Sequence, residues 1–276
     1  MTDEYVLGTH SDELERLGLQ HQVWQADTAA LWRRAGFGPG DVILDAGCGP
    51  GFSTVDLAGL VGATGRVVAL DQDVGFVNAT RQRAAALGYV NVKVHEATVN
   101  EPLEQVPPVN GAFLRWVLSF LSAPQDAVAH VAGRLAPGGA LVAMDYCHYR
   151  AARVYPRSDV LDQLFVEFDA ANAAAGGSFD NGEGMATWAL ASGLEVTSLR
   201  PIVHAARPGG RYWFWFTAFC RVFVPAMVER GQIAPMFATQ VVEALRDTER
   251  APGAFLLTPP VMTLIARRPG DEPGRR

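Results

Sequence analysis

Glycines and an aspartate stand at a spacing that could hold a nucleoside. The glycine-rich residues 47–51 follow an apolar run at 42–44, and Asp71 ends a second apolar run about twenty residues further on. Glycine permits positive φ and lets backbone N–H groups approach a ligand closely. An acidic side chain after the next strand can accept hydrogen bonds from ribose hydroxyls. The pattern therefore predicts a nucleoside-containing cofactor at the end of the first strand.

The glycine spacing departs from that of a dinucleotide site. Such sites read G-x-G-x-x-G, whereas here Gly47, Gly49 and Gly51 are followed by Phe52 where the last glycine would fall. Pro50 also lacks the backbone donor that a pyrophosphate would use. Both departures favour a cofactor without a pyrophosphate.

Short apolar strands alternating with helices must position these residues. Strands are predicted at 42–44, 66–70, 90–95, 111–114 and 140–144, with helices at 53–61, 74–87 and 123–135 between them. This alternation is typical of a parallel, doubly wound α/β sheet. Two helical stretches, 11–24 and 26–35, precede it. Helices at 160–175 and 182–192, a strand at 194–199 and a last strand at 261–266 follow it.

The segment between the last two strands is rich in aromatic residues. A compact domain does not carry a structureless loop of about sixty residues, so residues 200–260 are predicted to form a helical insertion. Aromatic side chains offer large apolar contact areas and stacking faces. The insertion is interpreted as a lid over an apolar or planar substrate. Core packing and a homodimer interface are the alternatives.

Composition limits the partners of this chain. Its 276 residues are 49% hydrophobic and carry a net charge of −6, without the basic run that nucleic-acid binding requires. The three cysteines, Cys48, Cys147 and Cys220, form no disulfide pattern. The N-terminus shows no secretory signal, and the apolar stretch at 212–228 is interrupted by Arg221 and Pro225. We expect a cytoplasmic protein with neither a nucleic-acid nor a membrane partner.

Residues 41–145 resemble the core of the class I S-adenosylmethionine-dependent methyltransferases. The block at 44–51 resembles their first motif, Asp71 their ribose-binding acid, and residues 134–139 their late "LxPGG" turn. The segments 5–24 and 115–118 and the capped C-terminal half are similar to UbiE-like bacterial small-molecule methyltransferases. The resemblance implies a Rossmann-like, mostly parallel sheet with an antiparallel last strand, an N-terminal helical lid and a helical insertion before the last strand. It divides the chain into a lid (1–40), a core (41–199 and 261–268) and a substrate cap (200–260).

The resemblance also implies a set of cofactor contacts. The methionine part would lie along the glycine turn, the ribose on Asp71 and the adenine beside residues 72 and 98–99, where Thr98 replaces an acidic residue common in the family. Arg115 and Trp116, after the fourth strand, would lie under the sulfonium end. The implied contacts are Tyr5, Asp45, Gly47, Cys48, Gly49, Asp71, Gln72, Thr98, Val99, Arg115 and Trp116.

Methyl transfer requires alignment of donor and acceptor, exclusion of water and sometimes a base. His148, just after the fifth strand, is the candidate base; a structural histidine is the alternative reading. His21, Tyr146, Tyr149 and Trp213 are candidate substrate contacts, and His21 and His204 are further candidate bases. No metal site is expected, because Asp145 and His148 supply at most two ligands.

The sequence therefore predicts S-adenosylmethionine-dependent methyl transfer to an oxygen, nitrogen or carbon nucleophile of a small, mostly apolar molecule. The composition is compatible with natural-product biosynthesis. Two alternatives stay open: an NAD(P)-dependent oxidoreductase, and a non-catalytic nucleoside-binding protein.

Overall fold

Strands and helices alternate along the chain in the computed structural model, which describes residues 11–270. The strands are β1 (Val42–Ala46), β2 (Arg66–Asp71), β3 (Val92–Glu96), β4 (Val109–Arg115), β5 (Leu135–Tyr146), β6 (Arg153–Tyr155), β7 (Glu195–Ile202), β8 (Ala205–Ala206), β9 (Phe255–Leu257) and β10 (Val261–Arg267). The helices are α1 (Ser11–Ala35), α2 (Phe52–Val61), α3 (Val74–Ala86), α4 (Pro124–Ala132), α5 (Asp159–Ala174), α6 (Met185–Ala191), α7 (Arg211–Glu229) and α8 (Pro235–Arg250).

The main sheet has seven strands in the order β3-β2-β1-β4-β5-β10-β7. The strands from β3 to β5 are parallel, and β10 runs antiparallel to both β5 and β7. The chain moves outward from β1 to β3 and then returns to β4 on the other side of β1. Ligands of doubly wound sheets bind beyond the carboxyl ends of the strands at such a reversal. The predicted fold class is confirmed, including the antiparallel last strand.

Both faces of the sheet are covered. Ile43 and Val67 belong to one buried apolar cluster, whereas Leu44 and Val68 belong to the other. Successive side chains of a strand point to opposite faces, so a strand buried on both sides reads as a continuous apolar run. This burial fixes the strands whose ends form the site.

The N-terminal part differs from the sequence prediction, because α1 is one continuous helix rather than two. No proline or glycine interrupts it between Trp24 and Ala26. Gly18 is accommodated because the Phe52 ring packs on it, 3.0 Å from where a Cβ would stand. Trp24 is fully buried, with its ring centroid 5.3 Å from Tyr212 and 5.5 Å from Trp215. These contacts anchor α1 against α7.

The segment 200–260 contains the two helices α7 and α8, as expected of a helical insertion, and also two short strands. β8 and β9 pair with β6 in a three-stranded sheet, order β6-β9-β8. These strands have only two or three residues, too few to show an alternating pattern. Across residues 11–270, no helix combines the length and apolar character needed to cross a membrane.

Candidate functional site

One cavity lies at the carboxyl ends of the parallel strands. Its volume is about 1020 Å³. One end, here called the glycine-turn end, is bounded by residues at the carboxyl ends of β1, β2 and β4, including Asp45, Gly49, Asp71 and Arg115. The other end, here called the aromatic chamber, is lined by Phe120, Tyr146, Tyr149, Phe179, Phe219 and Phe223.

The glycine turn follows β1 and leads into α2. Gly49 has φ +54°, and a Cβ built on it would meet no protein atom within 4 Å, so its backbone faces open cavity. Gly51 has φ +82°, and its Cβ would stand 2.7 Å from Thr80. The Thr80 hydroxyl donates to the Gly49 carbonyl at 2.8 Å, which fixes the turn. Glycine is therefore required at 51 by packing, and at 49 the turn leaves room for a ligand.

Asp71 is held at the end of β2 by backbone donors. Its Oδ2 accepts from the Gly49 N–H at 2.8 Å and its Oδ1 from the Asp73 N–H at 3.0 Å. Burial raises the pKa of Asp71 despite these bonds. The Gln72 backbone N–H also contributes a hydrogen bond to this carboxylate. Two carboxylate oxygens have about four acceptor positions, so the carboxylate keeps capacity for a ligand. Two adjacent ribose hydroxyls match that arrangement.

Asp45 is a second carboxyl at this end, and it is almost fully buried. The Thr54 hydroxyl donates to its Oδ2 at 2.6 Å. Burial raises the pKa of Asp45 to about 6, against the opposing effects of the Thr54 hydrogen bond and the Arg115 charge. Asp45 therefore titrates near pH 6. A cation bound beside it would favour its ionised form.

Arg115 brings a positive charge to the same end and is fixed by α1. Its guanidinium donates to Thr28 Oγ1 at 3.1 Å and to His21 Nδ1 at 3.2 Å. A guanidinium only donates, so His21 carries its proton on Nε2, which lies 3.1 Å from Asp56 Oδ2. Burial lowers the pKa of Arg115 to about 10, with Asp45 and Asp56 opposing the shift. Arg115 is thus a fixed cation at neutral pH.

Aromatic rings enclose the other end of the cavity. Tyr149 stacks on Phe179 at 4.5 Å, and Tyr146 lies edge-on to Tyr149 at 5.2 Å. The Arg16 guanidinium is bound to both carboxylate oxygens of Glu13 at 2.7 Å and lies 5.5 Å from the centre of the Phe219 ring. A flat apolar molecule fits such a surface.

The structure brings most of the predicted residues together. The predicted residues that line the cavity are Asp45, Gly47, Cys48, Gly49, Asp71, Gln72, Thr98, Val99, Arg115, Trp116, Tyr146 and Tyr149. Tyr5 lies outside the described residues. His21 stands behind Arg115 as its hydrogen-bond partner and does not line the cavity.

Three predicted residues lie away from the cavity. The His148 side chain is 74% exposed, with Nδ1 3.3 Å from Glu183 Oε1. After β5 the chain turns, with φ +52° at this residue. Because the imidazole is exposed and His148 does not line the cavity, the geometry does not support it as the base. Trp213 is fully buried and donates to Glu249 Oε1 at 2.9 Å, which makes it a core residue. His204 stacks on Tyr212 at 3.8 Å, outside the cavity.

Sequence reasoning missed Arg16, Gln20, Phe120, Asn172 and Phe179, which also line the cavity. Arg16 and Gln20 are four residues apart on α1 and share its buried face. Polar residues at this spacing on an otherwise apolar face were the available signal. Between residues 11 and 270, no three His, Cys, Asp or Glu side chains are grouped so that they could hold a metal ion.

Comparisons with known proteins find similarity to methyltransferases. A family model described as a methyltransferase domain matches residues 38–191. Demethylmenaquinone methyltransferase from Symbiobacterium thermophilum is 25% identical over 151 residues, which cover 52% of this chain and 59% of that protein. The alignments with the first curated relatives span only 26% to 59% of those proteins.

Solved structures share the fold. A Bacillus halodurans protein assigned as a methyltransferase has a TM-score of 0.60 at 14% identity, covering 88% of this chain and 99% of that one. Geranyl diphosphate C-methyltransferase from Streptomyces coelicolor has a TM-score of 0.58 at 18% identity, covering 95% and 84%. At these identities the likeness concerns the fold alone.

Proposed function

Because the chain belongs to the methyltransferase domain family, whose model matches more than half of it, we propose that it transfers a methyl group from S-adenosylmethionine to a small, mostly apolar molecule. The acceptor atom is an oxygen, nitrogen or carbon nucleophile. The observation that carries this proposal is the single cavity that joins the glycine turn and Asp71 to the aromatic chamber. Such a cavity can hold a nucleoside donor and an apolar acceptor side by side.

The glycine-turn end matches the donor in charge. Asp71 would accept both ribose hydroxyls, and Gln72, Thr98 and Val99 would flank the adenine. The amino-acid part of the donor carries an ammonium and a carboxylate, and this end offers the Asp45 carboxylate and the Arg115 guanidinium. Opposite charges held in a partly desolvated site give both affinity and orientation.

We propose a role for Arg115 that differs from the position under the sulfonium that the resemblance implies. A guanidinium close to a sulfonium would repel it, whereas a carboxylate is its natural partner. Thr28 and His21 fix the Arg115 head. We therefore assign Arg115 to the donor carboxylate and leave Trp116, whose ring lies 5.1 Å from that guanidinium, nearer the reacting end.

The donor supplies an activated methyl group, so the protein has to align the reactants and exclude water. Phe120, Phe179, Phe219 and Phe223 perform the second task by walling the chamber. Burial raises the pKa of Tyr146 and of Tyr149, so both hydroxyls stay protonated at neutral pH and serve as hydrogen-bond donors.

The proposal is tested by following the labelled methyl group. The protein is incubated with methyl-labelled S-adenosylmethionine and a panel of small hydroxylated, aminated and CH-acidic aromatic acceptors. We expect S-adenosylhomocysteine and one methylated product in equal amounts with the native protein, and neither with Asp71→Ala. Tight donor binding without transfer to any acceptor would favour the nucleoside-binding alternative. Donor binding that Asp71→Ala leaves unchanged would contradict the site assignment.

A further inference from the structure

Two polar residues that line the cavity, Gln20 and Tyr146, keep hydrogen-bonding capacity that the described part of the chain does not use. Gln20 is 8% exposed, and its Oε1 accepts from Arg16 Nη1 at 3.0 Å and from Trp215 Nε1 at 3.1 Å. These two bonds occupy the oxygen and fix the amide, so the Nε2 donors are left for a ligand. Tyr146 is 9% exposed, and its hydroxyl makes no hydrogen bond within the described part of the chain. Both residues line the cavity, so a ligand there can accept hydrogen bonds from these donors.

Tyr146 stands where the two ends of the cavity meet. Its ring centroid lies 6.0 Å from that of Trp116, next to Arg115, and 5.4 Å from that of Phe179 in the chamber. It is also the last residue of β5, so the sheet holds its backbone rigidly. A substrate group that contacts the Tyr146 hydroxyl is therefore held close to the donor.

The chamber is matched to a neutral, flat ligand. Phe120, Phe179, Phe219 and Phe223 supply ring faces. Arg16, the cation of the chamber, is already bound to both carboxylate oxygens of Glu13. Because Arg16 and Glu13 neutralise each other, the chamber does not require a charged ligand.

On the premise of the proposed methyl transfer, we propose that the acceptor is a neutral planar aromatic compound bearing a hydroxyl or carbonyl oxygen, held by hydrogen bonds from the Tyr146 hydroxyl and the Gln20 amide. Tyr146 and Gln20 are then specificity-determining residues. An analogue without the oxygen loses both hydrogen bonds, so the site discriminates against it.

The test uses three matched probes on the full chain saturated with S-adenosylhomocysteine. 2-Naphthol has the ring and the oxygen, naphthalene lacks the oxygen, and decahydro-2-naphthol lacks the planar ring. We expect naphthalene to bind roughly a hundredfold more weakly than 2-naphthol, because it loses two hydrogen bonds at about tenfold each. Decahydro-2-naphthol should bind roughly tenfold more weakly, because it loses ring stacking. Tyr146→Phe, which retains the ring, and Gln20→Leu should each lower 2-naphthol affinity about tenfold and leave naphthalene affinity unchanged.

Tyr155→Phe is the matched control, because Tyr155 is an exposed tyrosine outside the cavity. It should bind all three probes like the native protein. Three results would each overturn the inference. The first is no binding of 2-naphthol, and the second is equal affinity for 2-naphthol and naphthalene. The third is an equal loss of affinity for both probes in Tyr146→Phe. The S-adenosylhomocysteine titration comes first and judges the cofactor alone. If that ligand does not bind, the same probes are titrated into the free protein, so the two proposals fail separately.

Discussion

Replacing Gly49 by alanine should impair cofactor binding without disrupting the fold. Gly49 has φ +54° and open space where a Cβ would stand, and it lines the glycine-turn end of the cavity. The added methyl group therefore meets the ligand rather than the protein. Gly88 offers a matched control, since it has φ +74° and equally open space but lies on the surface after α3, outside the cavity.

The magnitudes follow from two separate effects. An L-residue in the left-handed region costs about 1–2 kcal/mol, which lowers Tm by roughly 2–8 °C in a chain of this size. Both variants carry this cost, so their Tm values should fall by similar amounts. In Gly49→Ala alone, the methyl group crowds the donor by the equivalent of about 1–3 kcal/mol of overpacking. S-adenosylhomocysteine affinity should then fall by roughly 5- to 150-fold.

The assay pairs thermal unfolding with calorimetric titration of S-adenosylhomocysteine into the native protein and both variants. A fall in affinity confined to Gly49→Ala, with similar Tm losses, is the expected result. Equal affinities in the two variants would refute the reasoning, because the ligand would then not approach the turn. A large loss of affinity in Gly88→Ala would show instead that backbone strain alone impairs the site.

Three further predictions concern single side chains. Asp71→Asn keeps the shape but loses the charge on two expected ribose contacts, so S-adenosylhomocysteine affinity should fall about a hundredfold by calorimetry; a change below threefold would contradict the ribose assignment. Burial raises the pKa of Asp45 to about 6, so this carboxyl is protonated below pH 6. Binding the ligand's ammonium group then requires the carboxyl to lose its proton. S-adenosylhomocysteine affinity should therefore fall by up to about tenfold per pH unit as the pH drops below 6. The dependence should flatten in Asp45→Asn, and an unchanged pH profile would remove Asp45 from the site. Trp24→Ala should lower the free energy of unfolding by about 3–5 kcal/mol in urea titrations, because it empties the centre of the aromatic cluster between α1 and α7; a loss below about 1 kcal/mol would show that the cluster contributes little.

Local sequence patterns were sufficient for the sheet and the glycine-turn end. Most strands of the main sheet contain short apolar runs, so their alternation with helices could be read directly. The glycine turn and Asp71 lie on consecutive strands, and sheet geometry alone brings them together, with the Gly49 N–H donating to Asp71 at 2.8 Å. These residues are close in space because they follow or end neighbouring parallel strands.

The aromatic chamber could not be assembled in the same way. Gln20, Phe120, Phe179 and Phe219 come from distant parts of the chain and meet only through tertiary packing. Their spacing in sequence carries no signal of that meeting. His148 illustrates the opposite error, since its position just after β5 suggested the rim of the site. In the structure the His148 side chain is exposed to solvent and does not line the cavity.

The continuous α1 helix shows how tertiary contacts complete a weak local pattern. The sequence predicted two helices, 11–24 and 26–35, and Arg16, Gln20 and His21 interrupt the apolar face of the first. In the structure these polar residues are buried and bonded, with Gln20 reaching Trp215 and His21 reaching Arg115. The helix therefore buries polar side chains where it covers the cavity. Such departures from an apolar buried face are expected at functional sites.

The central claim is that the glycine turn and Asp71 hold S-adenosylmethionine. The most direct measurement is calorimetric titration of the purified protein with S-adenosylhomocysteine and, separately, with NADH. We predict micromolar binding of S-adenosylhomocysteine and none of NADH. Binding of NADH alone would contradict the account and would make the glycine turn a dinucleotide site.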